Sequence, residues 1–519
     1  DAVLRCLRET PPTPDEVDFG RDTAVEIVDL AGAALVPGFV DAHVHLTLLA
    51  VRDDGLALGG LASIERVLDA VAAEAARLPS GAPLVGIGWD DSGWGRLPTR
   101  GDLDRVAPDR PVLLLRKDAH LLWLNSAALA HYGFETPAGP ASRDAAFVDR
   151  DADTGRPTGL VRELLALELV RDRLPPTPPA LALARLDRTI RAASAAGVTG
   201  VTTFEGREAA TLLRRRLEAG ARDLRVALGA PAAEAAAAAR LGPAAGPDGD
   251  WLVAGPAKLF LDGSLGSRTA RLLEPYEAAG LAEPGCGPDG CGLVVTPDAQ
   301  ARAMMREALA AGLPLAVHAI GDAAVRAALD AFEAARAGEP SAYARLAPRS
   351  RVEHVQLCHP TDLPRFAALG VSASVQPAHA PSDMELSERY WGAARSARAY
   401  PYASLVRAGA RLVVGTDAPV EPIAPLATLH AALTRQRRDG TPAGGWQPHE
   451  RLDAATVIDA YTIGAASSAG LRGVGRLAPG WLADAVAVSV DPFRDPPERL
   501  AEAEVRLVVV AGRVVFPAG

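Results

Sequence analysis

The amino-acid sequence predicts an α/β protein whose parallel strands close a TIM-like (β/α)8 barrel, with a smaller β domain beside it. From residue 178 onward, short apolar runs alternate with segments of helical periodicity. About eight such units close a barrel, and barrels carry their functional residues at the carboxyl ends of the strands. Residue types that bind metals end several of these strands. The sequence therefore predicts both the architecture and the end of the barrel where chemistry takes place.

The first barrel strand is predicted from the apolar run 33–40, which is followed closely by His43 and His45. Side chains at positions i and i+2 of a strand point to the same face. His43 and His45 can therefore reach one metal ion together.

The later units follow in chain order. Helices are predicted where apolar residues recur at helical spacing, and strands where short apolar runs lie between turn residues. The predicted strands span residues 198–204, 224–228, 257–261, 314–318, 350–355, 372–375 and 411–415. The predicted helices span residues 180–196, 207–219, 297–311, 323–337, 362–369 and 403–408.

Residues 51–177 are predicted to be inserted into the barrel on its substrate side. This segment contains a predicted helix at 61–78, strands at 83–88 and 111–115, and a helix for which Ser126 is the expected N-cap. Its spacing does not follow the regular β/α pattern of the later chain.

The two ends of the chain are assigned to one composite β-sandwich domain of residues 1–36 and 478–519. Short β runs at 23–28, 483–490 and 505–515 lie there without long helices between them. The barrel with its insertion then occupies residues 37–477.

The composition excludes several classes of protein. Of the 519 residues, 49% are hydrophobic, and 54 Lys and Arg residues against 64 Asp and Glu give a net charge of -10, which argues against a nucleic-acid partner. No apolar run reaches the ~20 residues of a membrane-spanning helix, and the first residues show no signal-peptide pattern. Four cysteines are too few for a disulfide framework. We expect a cytoplasmic protein that acts on a small molecule away from membranes.

Two further histidines, His318 and His354, each end a predicted strand of their own. Barrel topology would bring them to the same end as His43 and His45. Nitrogen and oxygen ligands of this kind suit zinc first, then manganese, iron or cobalt. The sequence therefore predicts a divalent metal site.

Lys258 is one of two lysines in a chain that otherwise uses arginine. A buried lysine, unlike an arginine, can become a neutral amine. Such an amine reacts with carbon dioxide to form a carbamate, an anionic ligand able to bridge two metal ions. The alternatives are an ion pair with Asp262 or with an anionic substrate.

Asp417 ends the apolar strand that begins near residue 411. Beside a metal, its carboxylate could take a proton from a bound water and pass it to a leaving group. A helix N-cap or a turn residue is the alternative role.

Five segments carry these residues in order: Pro37–His45, Lys258 with Asp262–Ala270, Val317–Ala319, Glu353–Gln356 and Gly415–Pro419. Together they resemble the amidohydrolase superfamily and, within it, the amidohydrolase-3 (YtcJ-like and N-substituted formamide deformylase-like) group. The resemblance runs from about residue 23 to the end of the chain. It implies a barrel with a β-sandwich made from both chain ends, a site for one or two metals, and a homodimer as the expected assembly.

The resemblance also implies roles for individual residues. His43, His45 and Asp417 would hold one metal and His318 and His354 the second, with carbamylated Lys258 as the bridge. The residues expected to line the substrate pocket are Trp89, Asp90, His120 and Asn125.

Three of these roles have alternatives. His120 either contacts the substrate or its transition state or is structural, and Trp89 either lines the pocket or packs in the core. Arg268 either binds a substrate anion or caps a helix. Asp262 and Ser264 are expected to orient Lys258 or the neighbouring loop.

The function predicted from these residues is hydrolysis of a C–N bond other than a peptide bond. A metal-bound hydroxide would attack the carbonyl of an N-acyl or N-formyl amine, His120 would help to stabilise the oxyanion, and Asp417 would move the proton. The same site could instead cleave a cyclic amide, an ester or a lactone. A catalytically silent binding protein is the non-enzymatic alternative.

Overall fold

The computed structural model describes residues 28–52, 55–134, 147–151, 153–163, 178–240, 244–246, 249–278 and 286–517. The predicted strand at 23–28 lies outside these ranges except for Val28. Most of the predicted N-terminal part of the β domain, residues 1–36, lies outside them as well.

Eight parallel strands, β1 to β8, form a barrel in which each strand pairs with the next along the chain. The barrel closes where His45 N donates to Ala418 O at 2.8 Å and Asp417 N donates to His43 O at 2.7 Å. The predicted α/β barrel is therefore confirmed. In order, the strands are Phe39–Val44, Val198–Phe204, Arg225–Pro231, Gly249–Phe260, Leu315–Ala319, Arg351–His354, Ser372–Val375 and Arg411–Val414.

The strands form because their residues are mostly apolar, small or β-branched and are suited to burial on both faces. All six residues of β1 and all four of β7 are buried, as in parallel sheets covered by helices. Two predicted strands, at 198–204 and 372–375, have the observed bounds. The strand predicted at 257–261 begins earlier, at Gly249, because the Gly255-Pro256 pair inside it looks like a turn in the sequence.

The helices cover the outside of the barrel and connect its strands. None of those in the described ranges is both long enough and apolar enough to cross a membrane. The longer predicted helices begin and end within three residues of the predicted bounds. The α-helices of six or more residues in the described ranges are Leu46–Arg52, Ile64–Arg77, Ser126–His131, Pro179–Ala195, Arg207–Glu218, Asp298–Ala310, Asp322–Gly338, Pro340–Leu346, Leu363–Leu369, Met384–Ser396, Tyr402–Arg407, Pro425–Thr434 and Ala454–Asp459.

Both ends of the described chain contribute to one small antiparallel sheet, as the sequence predicted. Its strands, in spatial order, are Ala34–Pro37, Ala485–Val488, Val505–Val510 and Arg513–Phe516. Arg225 of β3 and Asp484 form an ion pair at 2.6 Å, with both side chains fully buried. This pair fastens the sheet to the barrel.

Six strands between Leu56 and Arg162, within the segment predicted to be inserted at 51–177, form a mixed sheet of their own. These strands with the described residues between them are called the inserted lobe. Asn125, and not the predicted Ser126, caps the helix Ser126–His131, because the Asn125 side chain accepts from Ala128 N. Ser126 Oγ instead donates to Asp104 Oδ2 at 2.7 Å. The strands are Leu56–Ala57, Leu84–Trp89, Val112–Arg116, Leu121–Leu124, Pro157–Arg162 and Val148–Arg150.

Candidate metal centre

Asp417 lies at the centre of a cluster of histidines at the carboxyl end of the barrel. It follows β8 with a left-handed backbone, φ 61°. His43 Nε2 and His45 Nε2 lie 3.5 and 3.6 Å from its Oδ1. His354 Nδ1 and His379 Nε2 each lie 3.9 Å from its Oδ2. The barrel thus brings together side chains from both ends of the sequence, as its topology predicted.

His43 is oriented by a buried carboxylate. Its Nδ1 donates to Glu353 Oε2 at 2.8 Å, and Arg351 holds the other oxygen of Glu353 at 2.6 Å. With Nδ1 carrying the proton, the lone pair of Nε2 faces Asp417. Burial, together with nearby Lys258, lowers the pKa of His43 to about 4, which keeps the ring neutral and able to bind a metal.

His354 and His318 are oriented by different partners. His354 Nδ1 donates to Gln376 Oε1 at 2.9 Å, which leaves Nε2 as the ligand atom. His318 Nε2 donates to Gly263 O at 3.1 Å, which leaves Nδ1. Burial lowers the pKa of both rings well below the usual value for histidine. The two rings lie 4.5 Å apart, so both can serve one metal.

Lys258 extends from β4 into the same cluster. Its Nζ lies 3.4 Å from His43 Nε2 and 4.5 and 4.8 Å from the rings of Phe204 and Phe260. Burial lowers the pKa of Lys258 to about 8, although Glu353 and Asp417 act to raise it. A lysine in this position can supply the neutral amine that carbamate formation requires.

Asp262 is not the ion-pair partner of Lys258. Its carboxylate instead accepts from the backbone N–H groups of Arg271, Ile320 and Gly321, at 2.9 to 3.0 Å. Burial raises its pKa to about 7 despite these bonds. Asp262 therefore orders the loop after β4, one of the two roles expected for it.

The donor set fits a divalent metal. His43, His354 and Asp417 are all buried and offer ligand atoms within 4.8 Å of one another. His45, His318 and Lys258 adjoin this group and contribute further nitrogen atoms. Neutral imidazoles and a carboxylate are the ligands that zinc and its neighbours prefer.

The inserted lobe reaches this centre through His120. Its Nδ1 donates to Glu163 Oε2 at 2.7 Å, and its ring lies 5.2 Å from the ring of His318. Burial lowers the pKa of His120, but the carboxylates of Glu163, Asp118 and Asp417 together outweigh burial and raise it to about 9. A protonated imidazole is thus available at the edge of the metal centre.

A cavity opens beside Asp417, between the barrel and the inserted lobe. The residues that line it include Arg116, Lys117, Asp118, His120, Ser264, His318, His354, Gln356, His379, Asp383, Asp417 and Glu421. Ser264 Oγ donates to Asp118 Oδ2 at 2.7 Å, so Ser264 joins the loop after β4 to the lobe. The substrate would enter through this space.

Trp89 and Asn125 occupy structural positions instead of positions at the cavity. Trp89 is fully buried, stacks on Trp94 at 5.5 Å and donates from Nε1 to Leu114 O at 2.8 Å. Asn125 is fully buried and donates from Nδ2 to two backbone carbonyls. Both side chains hold the inserted lobe together, which agrees with the packing alternative for Trp89.

Asp90 and Arg268 lie near the cavity but are engaged by protein groups. Asp90 pairs with Lys117 at 2.6 Å, and Lys117 lines the cavity. Arg268 is fully buried, with its guanidinium 5.4 Å from the ring of Tyr390 and its Nη1 3.3 Å from that tyrosine's hydroxyl. Arg268 therefore connects the loop after β4 to Tyr390 in the protein interior.

Sequence reasoning missed Glu353, Glu163 and His379. Arg351 and Glu353, opposite charges at i and i+2 of a buried strand, were a signal that a charged pair faces the interior. His379 lies four residues after the end of β7, and the polar residues at the ends of the other barrel strands were a signal that this segment also belongs to the site. Glu163 gave no signal, because its partner His120 lies 43 positions away.

The fold and the site define a metal-dependent hydrolase of the amidohydrolase superfamily. A model of the Amidohydrolase family, Amidohydro_3, matches residues 26–516, and the chain belongs to this family.

Relatives match over nearly the whole chain. YtcJ of Bacillus subtilis (strain 168) is 30% identical over 95% of this chain and 90% of its own. The N-substituted formamide deformylase of Arthrobacter pascens is 27% identical over 96% of this chain and 91% of its own. The crystal structure of an uncharacterized metal-dependent hydrolase from Pyrococcus furiosus is 29% identical, with a TM-score of 0.65 and 90% of each chain covered.

Proposed function

We propose that this protein hydrolyses the C–N bond of an N-acyl or N-formyl amine, with zinc as the metal. The observation that carries the proposal is the convergence of four histidines, Lys258 and Asp417 beside one cavity. The similarity to a protein named N-substituted formamide deformylase supports this class of substrate.

His43, His45 and Asp417 would hold one metal ion, and His318 and His354 a second. A divalent metal bound there would supply Lewis acidity, which polarises a carbonyl group and lowers the pKa of water toward about 7. Glu353, Gln376 and the Gly263 carbonyl keep the imidazoles in the tautomers that such binding needs.

Lys258 would act as a bridge after its amine adds to carbon dioxide. The addition forms one N–C bond, gives a carbamate with one negative charge and releases one proton. Burial lowers the pKa of Lys258 to about 8, which increases the fraction of the neutral amine that starts this reaction.

Asp417 is the group placed to move a proton. Burial raises its pKa, but the surrounding His43, His45 and His354 outweigh burial and hold it well below the usual range. An ionised carboxylate at this point can accept a proton from water and deliver it to the departing amine. His120 can donate a hydrogen bond to the oxygen that becomes negative.

The test combines metal content with activity. Protein purified without added metal is analysed by plasma mass spectrometry, and native intact mass is used to detect a carbamate on Lys258. The loaded protein is then assayed against a library of N-formyl and N-acyl amines, lactams, lactones and esters. We expect two equivalents of zinc and turnover of amides; metal-loaded protein that hydrolyses only esters or lactones, or no compound, would contradict the proposal.

A further inference from the structure

Gln356 and His379 form a polar pair on the cavity wall that the mechanism above does not use. Gln356 lies two residues beyond the end of β6, and His379 begins the helix His379–Ser382 after β7. Both side chains line the cavity and are 4% and 5% exposed. They contact each other, since Gln356 Nε2 lies 3.3 Å from His379 Nδ1.

Each residue of the pair keeps one buried polar atom without a hydrogen bond. Within the described ranges, Gln356 Oε1 and His379 Nε2 have no hydrogen-bond partner. Leaving a buried polar atom without a hydrogen bond lowers the stability of the folded protein. Because both residues line one cavity, the two atoms are expected to bind a molecule that enters it.

The contact between the two side chains decides what the free atoms offer. Gln356 Nε2 donates to His379 Nδ1, so His379 carries its own proton on Nε2. His379 Nε2 is then a donor, and Gln356 Oε1 is an acceptor. His379 Nε2 lies 3.9 Å from Asp417 Oδ2, so the pair adjoins the reacting groups.

A second Gln and His pair, Gln376 with His354, lies beside the first and has the opposite hydrogen-bond direction. The rings of His354 and His379 are nearly parallel, 9° apart in orientation with centroids at 6.3 Å. In the His354 pair the imidazole donates to Gln376 Oε1, which frees a lone pair for a metal. In the His379 pair the glutamine donates, so His379 offers an N–H.

We propose that Gln356 and His379 form a substrate subsite. Gln356 Oε1 accepts a hydrogen bond from the N–H of a secondary amide, and His379 Nε2 donates a hydrogen bond to the carbonyl oxygen of the substrate. The inference rests on the proposed function and extends it, because it selects amides that carry an N–H over esters. His379 is thereby a substrate contact and not a metal ligand.

The experiment pairs two substrates that differ in one atom with variants of the pair. The substrates are a secondary amide that the native enzyme cleaves and the ester with oxygen in place of the N–H. Gln356→Met removes the acceptor at nearly constant volume, with Gln356→Leu as a second variant if it does not fold. His379→Phe removes the donor, and Gln376→Met is the matched glutamine of the neighbouring pair.

We expect Gln356→Met to lower kcat/KM for the amide about fivefold to tenfold more than kcat/KM for the ester, because only the amide loses the acceptor, whereas both substrates lose the contact that sets the His379 tautomer. His379→Phe should lower both values by a similar factor, with metal content unchanged. Gln376→Met should instead reduce metal content and lower both activities.

Equal losses on amide and ester in Gln356→Met and Gln356→Leu would overturn the subsite, as would loss of metal in His379→Phe. Failure of the proposed function is recognised separately, because the native enzyme would then cleave no amide before any variant is made.

Discussion

The carboxyl end of the barrel and the inserted lobe both carry polar residues that the sequence suggested for the site, but they use them differently. At the barrel end, Asp417 has the nitrogens of four histidines within 3.9 Å. In the lobe, Trp89 and Asn125 bond to backbone groups and pack in the interior. Parallel barrel strands all end at one rim, whereas a mixed sheet has no common end. A polar residue at a strand end is therefore informative about function only where topology gathers the ends.

The two regions also differ in what their polar atoms contribute to stability. In the lobe, the Asn125 side chain makes bonds to Val112, Ala128, Ala107 and Arg110. At the barrel end, atoms such as His379 Nε2 remain unpaired among the described residues. The lobe residues therefore stabilise the fold, and the barrel residues lower its stability in exchange for binding capacity.

The largest effect is expected from Asp417→Asn. Loss of the proton-accepting carboxylate should lower kcat by about 10²–10⁴-fold while the protein stays folded. The measurement is kcat on a cleaved amide, with metal content determined on the same sample. Full activity in a metal-loaded variant would remove Asp417 from the proton transfer.

A smaller effect at the same end is expected from Glu353→Gln. The variant loses the charge that orients His43 and leaves Arg351 without its buried partner. Metal affinity should fall about 10–100-fold, as measured by competition with a chelator. The exposed pair of Arg499 with Asp495 gives a control, Asp495→Asn, which should leave metal affinity as it is.

In the lobe, Asn125→Ala should lower stability and not chemistry. The variant loses the helix N-cap and unpairs buried backbone groups, so the free energy of unfolding should fall by about 1–2 kcal/mol. Denaturant titration measures this change. Ser126→Ala, at the cap position suggested by the sequence, should cost less; the reverse order would contradict the observed cap.

The smallest effect concerns Asp90 and depends on pH. Burial raises its pKa, but Lys117 and Arg116 outweigh burial and lower the pKa to about 2 from 3.8. Because the folded value is the lower one, the stabilisation is complete above about pH 5 and declines as the pH falls toward 2. Asp90→Asn should cost about 1 kcal/mol near neutral pH, allowing for solvent screening. Unfolding curves at pH 6 and pH 3 should show that the difference from the native protein shrinks in acid; a constant difference would exclude the ion pair as its source.

The sequence was most informative where one local rule applied. His43 and His45 share a strand face, and His318, His354 and Asp417 each end a strand, so local pattern and barrel topology were enough to group them. The bounds of β2 and β7 were also predicted from the local sequence between the neighbouring helices.

The sequence could not supply contacts between distant segments. Glu353 meets His43 across 310 positions, and no local spacing records that contact. The choice of Asn125 over Ser126 as the cap depends on which side chain faces Ala128 N, and both residue types are suitable caps. The sequence left Trp89 open between the pocket and the core, because its burial against Trp94 and Trp123 is decided only when the lobe folds.

The closure of the barrel also determines when the metal site forms during folding. Asp417 is synthesised long after His43 and His45, and hydrogen bonds between β1 and the segment after β8 bring the three residues together. Gly415 permits this contact, because a Cβ atom there would lie 2.6 Å from His43 N. The full ligand set therefore exists only in a completed, closed barrel. Tight metal binding should then distinguish finished molecules from truncated or open ones.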